Sequence, residues 1–272
     1  MREVGIVGLG LIGGSTGMAL RALGGRVRVS GLCRTEDAAR MAESTGAVDR
    51  AGTGIESLRD CELVLLATPV SEFETMFDLL GWSLPREVLI TDVASVKRPI
   101  VEMARRRLAF PGRFLGGHPM AGKTKSGLSH ADPGLFRDTP WVFTPLPEQD
   151  LTPFGWWVDL VGTMGARPLL MDAVEHDRQA AFVSHLAFTL SAAYRTTVRA
   201  HAGEQMAGPG YRGMTRLASG DPRMYGEIAA ANQASLLAAI DAFSESLAGY
   251  RRRIASGDRL ADLFSEASHV PG

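Results

Sequence analysis

The sequence predicts a doubly wound, mainly parallel α/β sheet over residues 1–171, followed by an all-helical domain over residues 172–272. Three observations carry this expectation. Short, nearly continuous apolar runs alternate with amphipathic segments as far as about Met171, the pattern of strands covered by helices on both faces. The first of these runs leads straight into a glycine-spaced turn and a helix. Beyond Asp172 the alternation stops, and "EHDRQAAFVSHLAFTLSAAYRTTV" is apolar on more than one helical face, which implies burial on several sides.

Taken in order, Glu3–Val7 is the first strand and feeds the glycine turn that opens a helix over 12–23. Val27–Leu32 is the second, with Arg34 and Thr35 ahead of a helix over 36–45. Leu63–Ala67 stops at Thr68-Pro69 before a helix over 71–80, and Val88–Thr91 leads through "TDVASVK" into a helix over 96–107. Phe114–Gly117 delivers His118; Trp141–Thr144, a helix over 152–164 and Arg167–Met171 complete the sheet. The helices that follow are interrupted by "AGPGYRGMTRLASGDP" at 207–222. The basic runs Arg105–Arg107 and Arg251–Arg253 fall where helices end, a place the helix dipole favours for cations. Helices with several apolar faces need partners, so the second domain is expected to form a homodimer.

Composition removes whole classes of function. A net charge of -1, with 45% apolar and 22% charged residues, suits an ordinary globular chain and gives no reason to expect a nucleic-acid or membrane partner. Cys33 and Cys61 are the two cysteines and show no CxxC spacing, so neither a disulfide framework nor a metal site is expected, and a reducing cytoplasm is the natural compartment. The apolar start "VGIVGLGLIGG" has no basic lead-in and no Ala-x-Ala cleavage pattern, and so reads as structure. No run is long and apolar enough to span a bilayer.

That start is a strand entering Gly8-x-Gly10-x-x-Gly13 and then a helix, the Rossmann arrangement for a dinucleotide. Gly8 permits the tight turn, Gly10 lets the backbone approach a pyrophosphate, and Gly13 allows close helix–strand packing. Leu11 and Ile12 lie between them at the helix N-terminus, whose amides and dipole favour phosphate. An NAD site would place a carboxylate about 20 residues on, at the end of the second strand. Here "VSGLCRT" puts Cys33 at that position, followed by Arg34 and Thr35. A guanidinium can pair with a 2′-phosphate, so NADP is favoured, with NAD possible. Thr68 marks the loop that normally runs beside the nicotinamide ribose.

An alcohol oxidised by such a cofactor needs a group to take its proton, and a neutral imidazole suits that at cellular pH. Among the histidines, His118 follows a strand of the nucleotide half at its carboxyl end, where open α/β sheets bind ligands. His176 and His185 sit on the long helix; His130, His201 and His269 lie in polar or terminal surroundings. On chemistry alone His118 leads, with a structural, hydrogen-bonded histidine as the alternative.

Five stretches then occur in order: "VGLGLIGGS", "TDVASVK" (91–97), "GGHPMAGKTKSG" (116–127), "EHDRQAAFVSHL" (175–186) and "YRGMTRLASGDP" (211–222). Together they resemble the prephenate/arogenate dehydrogenase family of tyrosine biosynthesis, over nearly the whole chain. The resemblance implies an oxidative decarboxylation in which His118 accepts the C4 hydroxyl proton and Ser95 orients that hydroxyl or the imidazole. It implies that Arg216 grips a substrate carboxylate, with Arg212 one turn earlier as the backup. His185 matches a family histidine facing the active site, and Thr124 and Ser126 are expected to line the substrate pocket. The family often continues His-Leu-Pro-His; here Ala187 and Phe188 replace the last two residues, which puts a paired histidine site in doubt. Asp92 and Lys97 flank Ser95 and read equally well as a strand end and a helix-start surface lysine. Prephenate is the expected substrate and arogenate the alternative. A β-hydroxyacid dehydrogenase would need a lysine in the helical half, and none follows Lys125. A nucleotide-sensing regulator without catalysis is a further alternative.

Overall fold

The computed structural model describes residues 1–257 and 260–268; His269 and the last residues of the expected second domain lie outside these. The strands are β1 (Arg2–Val7), β2 (Val27–Leu32), β3 (Arg50–Gly52), β4 (Leu63–Leu66), β5 (Leu89–Asp92), β6 (Phe114–Pro119), β7 (Pro140–Thr144) and β8 (Arg167–Leu170). They form a single eight-stranded sheet in the order β3-β2-β1-β4-β5-β6-β7-β8. The reversal of strand order beside β1 is the switch point at which open sheets bind ligands. All neighbours are parallel except β6 and β7, which run antiparallel, with His118 opposite Val142.

The helices of this half are α1 (Leu11–Arg21), α2 (Glu36–Ser44), α3 (Phe73–Ser83), α4 (Arg98–Arg107) and α5 (Gly155–Thr163). Short 3-10 turns at Val70–Glu72 and Thr152–Phe154 take the place of the expected first turns of α3 and α5. Strand β3 is the one the sequence hides: three half-buried residues, "RAG", with no apolar run.

The β4 sequence Leu-Val-Leu-Leu is fully buried because alternate side chains enter opposite cores. Leu63 and Leu65 pack with Val4, Ile6, Val29 and Trp157 on one face. Val64 and Leu66 pack with Phe73, Phe77 and Phe114 on the other, in a cluster that continues into Phe188 and Ile228 of the helical domain.

That domain contains α6 (Ala173–Ala180), α7 (Leu186–His201), α8 (Pro209–Thr215), α9 (Pro222–Ala231), α10 (Gln233–Ser256) and α11 (Leu260–Ser268). Asp172 caps α6, accepting from the amides of Val174 and Glu175. The expected continuous helix is interrupted by a π-helical turn over Ala181–His185. Phe182, Val183, Leu237, Leu247, Ile254 and Phe264 remain exposed, the apolar surplus expected of an element that packs against a partner. Among the described residues, no helix is long and apolar enough to cross a membrane.

Candidate active site

The glycine turn has the tight backbone geometry that its spacing predicts. Gly8 has φ +91°, a left-handed conformation that side chains resist, and a Cβ there would meet the Ala67 carbonyl. A Cβ on Gly13 would collide with the Gly8 carbonyl oxygen, whereas one on Gly10 would touch nothing within 4 Å. That open face adjoins a cavity of about 1210 Å³ lined by Gly8, Gly10, Arg34, Thr35 and Thr68 among others. Helix α1 starts from Gly10 with no side-chain cap and no acid in its first turn, leaving its amides for a phosphate. Leu11 and Ile12 form that first turn and are half-buried. Replacing Gly10 by Ala should therefore leave the melting temperature unchanged and weaken dinucleotide binding, whereas Gly13→Ala should destabilise the fold. Thermal melts with and without the nucleotide distinguish the two outcomes.

At the adenosine end, Thr35 caps α2 by accepting from the Ala38 amide at 3.2 Å. The Arg34 side chain is 92% exposed and its guanidinium lies 3.9 Å from Glu72, an ion pair loose enough to be exchanged for a phosphate.

The glycine pair before His118 has a packing cause. Gly116 has no room for a Cβ beside the Thr144 hydroxyl, and a Cβ on Gly117 would press on the Asp92 backbone carbonyl. Both glycines let β6 close over a buried ion pair. Lys97 and Asp92 are fully buried and bonded to each other; Lys97 Nζ also donates to the Gly117 carbonyl at 2.6 Å. Asp92 accepts in turn from the Gly117 amide at 2.9 Å and the Ala94 amide at 2.9 Å. Lys97 is thus no surface lysine at a helix start: helix α4 begins one residue later, and the ammonium points inward to brace the backbone that carries His118. Burial pushes the Asp92 carboxyl above its ordinary range and the Lys97 ammonium below its own, and each opposes the other's shift.

His118 is 6% exposed at the carboxyl end of the sheet. Its pKa lies well below 6.5, first through burial and then through His176, Lys97 and His185, so the ring is neutral. Its Nδ1 lies 2.8 Å from His176 Nε2, and His176 Nδ1 lies 2.8 Å from Asp177 Oδ1. The sequence places His176 on the long helix without assigning it or Asp177 a role; the signal is a His-Asp pair in the first turns of a buried helix.

His185 comes from the π turn, a feature that recurs at functional sites. Its Nδ1 is 3.2 Å from Asn232 Nδ2, its ring lies against the Ser95 backbone, and its Nε2 is buried without a partner. Burial pushes its pKa down to about 4. Ser95 itself is half-buried on the segment between β5 and α4. Phe188 stacks on Tyr225 at 4.1 Å between ring centroids.

A second cavity, of about 640 Å³, brings Arg216 of the helical domain to Thr124, with Lys123, Lys125 and His130 in the same wall. Its loop is anchored to the nucleotide helix: the Asp132 amide donates to Ser15 Oγ at 2.9 Å, and Leu128 sits where Gly14 lacks a side chain. Leu128 lines the nucleotide cavity, and the next residue, Ser129, lines the second. Ser126 and Arg212 are exposed and are not part of the lining of either cavity.

A glycine turn that leaves the start of α1 bare, at the switch point of such a sheet, places the chain among Rossmann-type dinucleotide-binding oxidoreductases. Residues 16–170 match the family model described as prephenate dehydrogenase, nucleotide-binding domain, and residues 172–266 match prephenate dehydrogenase, dimerization domain. The chain belongs to the prephenate dehydrogenase family. It is 32% identical over 245 residues to a prephenate dehydrogenase of Bacillus subtilis (strain 168), covering 87% of this chain and 66% of that protein. Prephenate dehydrogenase from A. aeolicus, solved with hydroxyphenyl propionate and NAD+, superposes with a TM-score of 0.90 at 27% identity, covering 98% of this chain and 96% of that one. Synechocystis arogenate dehydrogenase gives 0.83 at 28% identity, covering 98% and 97%.

Proposed function

We propose that the chain is a prephenate dehydrogenase, converting prephenate to 4-hydroxyphenylpyruvate with loss of CO2, with NADP favoured over NAD as hydride acceptor. Residues 1–171 hold the dinucleotide; residues 172–272 complete the substrate site and pair two copies in a cytoplasmic homodimer. The observation that carries this reading is His118: a buried, neutral imidazole at the end of β6, on the side of the sheet where the nucleotide cavity opens.

The bound nicotinamide supplies the hydride acceptor. His118 accepts the C4 hydroxyl hydrogen bond and then the proton, Ser95 steadies that geometry, and aromatisation of the ring drives the loss of CO2. Arg216 pairs with a substrate carboxylate, since a guanidinium offers two parallel donors. Thr124 lies in the same cavity as Arg216, and His185 lies against the Ser95 backbone from the helical side. Gly8, Gly10 and Gly13, with Leu11 and Ile12, would hold the pyrophosphate of the dinucleotide, Thr68 would lie on its nicotinamide side, and Arg34 and Thr35 would meet a 2′-phosphate.

An initial-rate matrix of prephenate and arogenate against NAD and NADP tests the reading. The expected result is the highest kcat/KM for prephenate with NADP, and an Arg34→Ala variant that loses its NADP preference. Turnover of neither dienol would overturn the assignment. Replacing Arg216 by Ala should chiefly raise KM, by the equivalent of about 1.5–3 kcal/mol for a charged hydrogen bond. An unchanged KM would move the carboxylate contact elsewhere.

A further inference from the structure

We propose that His176 and Asp177 are a positioning dyad that dictates which nitrogen of His118 carries a proton, and so makes Nε2 the base. This rests on the reading of His118 as the proton acceptor.

The argument runs outward from Asp177. Its Oδ1 accepts from the Lys97 amide at 2.7 Å and its Oδ2 from the Arg98 amide at 2.9 Å, so both oxygens act as acceptors at the start of α4. The His176 Nδ1 that shares Oδ1 at 2.8 Å must therefore be a donor. A neutral His176 then has only a lone pair at Nε2. That nitrogen stands 2.8 Å from His118 Nδ1, and two lone pairs cannot face each other at that distance. His118 must carry its proton on Nδ1, which leaves Nε2 bare.

As the substrate O–H bond breaks and an Nε2–H bond forms, the Nδ1–H···Nε2 contact with His176 stays in place and holds the His118 ring in its orientation. Asp177 stands behind the His176 ring. The groups facing His118 are His176 on α6, His185 on the π turn and Lys97 ahead of α4, with Asp177 and Asp92 behind His176 and Lys97. The acid limb of the rate is that of His118, and His176 helps set where it falls through its contact at Nδ1.

Two measurements test this. In protein labelled with ¹⁵N-histidine, His118 should show a protonated Nδ1 and a bare Nε2 near neutral pH, and the His176→Phe variant should lose that preference. In kinetics, His176→Phe should lower kcat by about 100-fold or more, within the range of positioned acid–base groups, with KM little changed and the acid limb displaced. His176→Gln, whose amide oxygen can still accept from Nδ1–H, should recover part of the loss. A purely structural role would produce neither the recovery nor the displaced limb. Wild-type His118 protonated on Nε2, or His176→Phe turning over normally with the wild-type pH profile, would overturn the dyad. If the Phe variant does not fold, the wild-type spectrum and the Gln variant decide the matter. Normal turnover by His118→Asn would instead remove the base reading itself, so the two failures are distinguishable.

Discussion

Replacing His118 by Asn is expected to reduce kcat by about 10²–10⁴-fold, the range a positioned general base contributes, while KM for the dienol substrate stays within a few-fold. Asparagine keeps a polar group at the end of β6 but cannot take up a proton at the position of Nε2. The pH dependence gives an independent check. The active form is unprotonated, so the rate rises with pH through the pKa of the base and is level above it. Because burial, His176, Lys97 and His185 hold that pKa well below 6.5, wild-type kcat/KM should stay level to below pH 6.5 before falling. The residual rate of the Asn variant should lack that limb. Near-normal turnover would sink the assignment.

The second large effect concerns stability. Lys97→Met should lower the unfolding free energy by about 3–5 kcal/mol, because it strands Asp92 in a fully buried position with its amide donors and no counter-ion. The sign with pH follows from linkage. In the variant, the folded-state pKa of Asp92 is raised above its unfolded value. Stability is then fully present below the unfolded pKa and is lost as pH rises through the folded one. Urea titrations should show the variant closest to wild type at acid pH and furthest from it at pH 8. Asp92→Asn in the Lys97→Met background should recover part of the loss. A loss under about 1 kcal/mol at neutral pH would show that the ion pair does not brace β6.

The features legible in the sequence are those written locally. The glycine turn declares itself because each glycine answers a contact made within one strand–turn–helix unit, and the β4 run is apolar because both its faces are buried. His118 could be singled out by its place after a strand, but its glycine neighbours could not be explained. Their reason is Thr144 and Asp92, on two other strands. Lys97 reads equally well as a surface lysine in the sequence because nothing nearby in the chain announces that it points inward. The roles of His176 and Asp177 are not legible because their value lies in reaching His118 and the start of α4, contacts 58 and 80 residues distant in sequence. Strand β3 and the reversal of β7 depend on pairing alone.

The π turn sets the phase of the helical domain. His176 and His185 are nine positions apart, which on an unbroken α-helix puts them about 180° apart, on opposite sides of the rod. The turn over Ala181–His185 takes up one residue, equivalent to about 100° of rotation, and swings the second ring back toward the first. Both histidines therefore act on His118 from one rigid element. Evolution could assemble this constellation by a single inserted codon, and could dismantle it the same way, without touching any polar side chain.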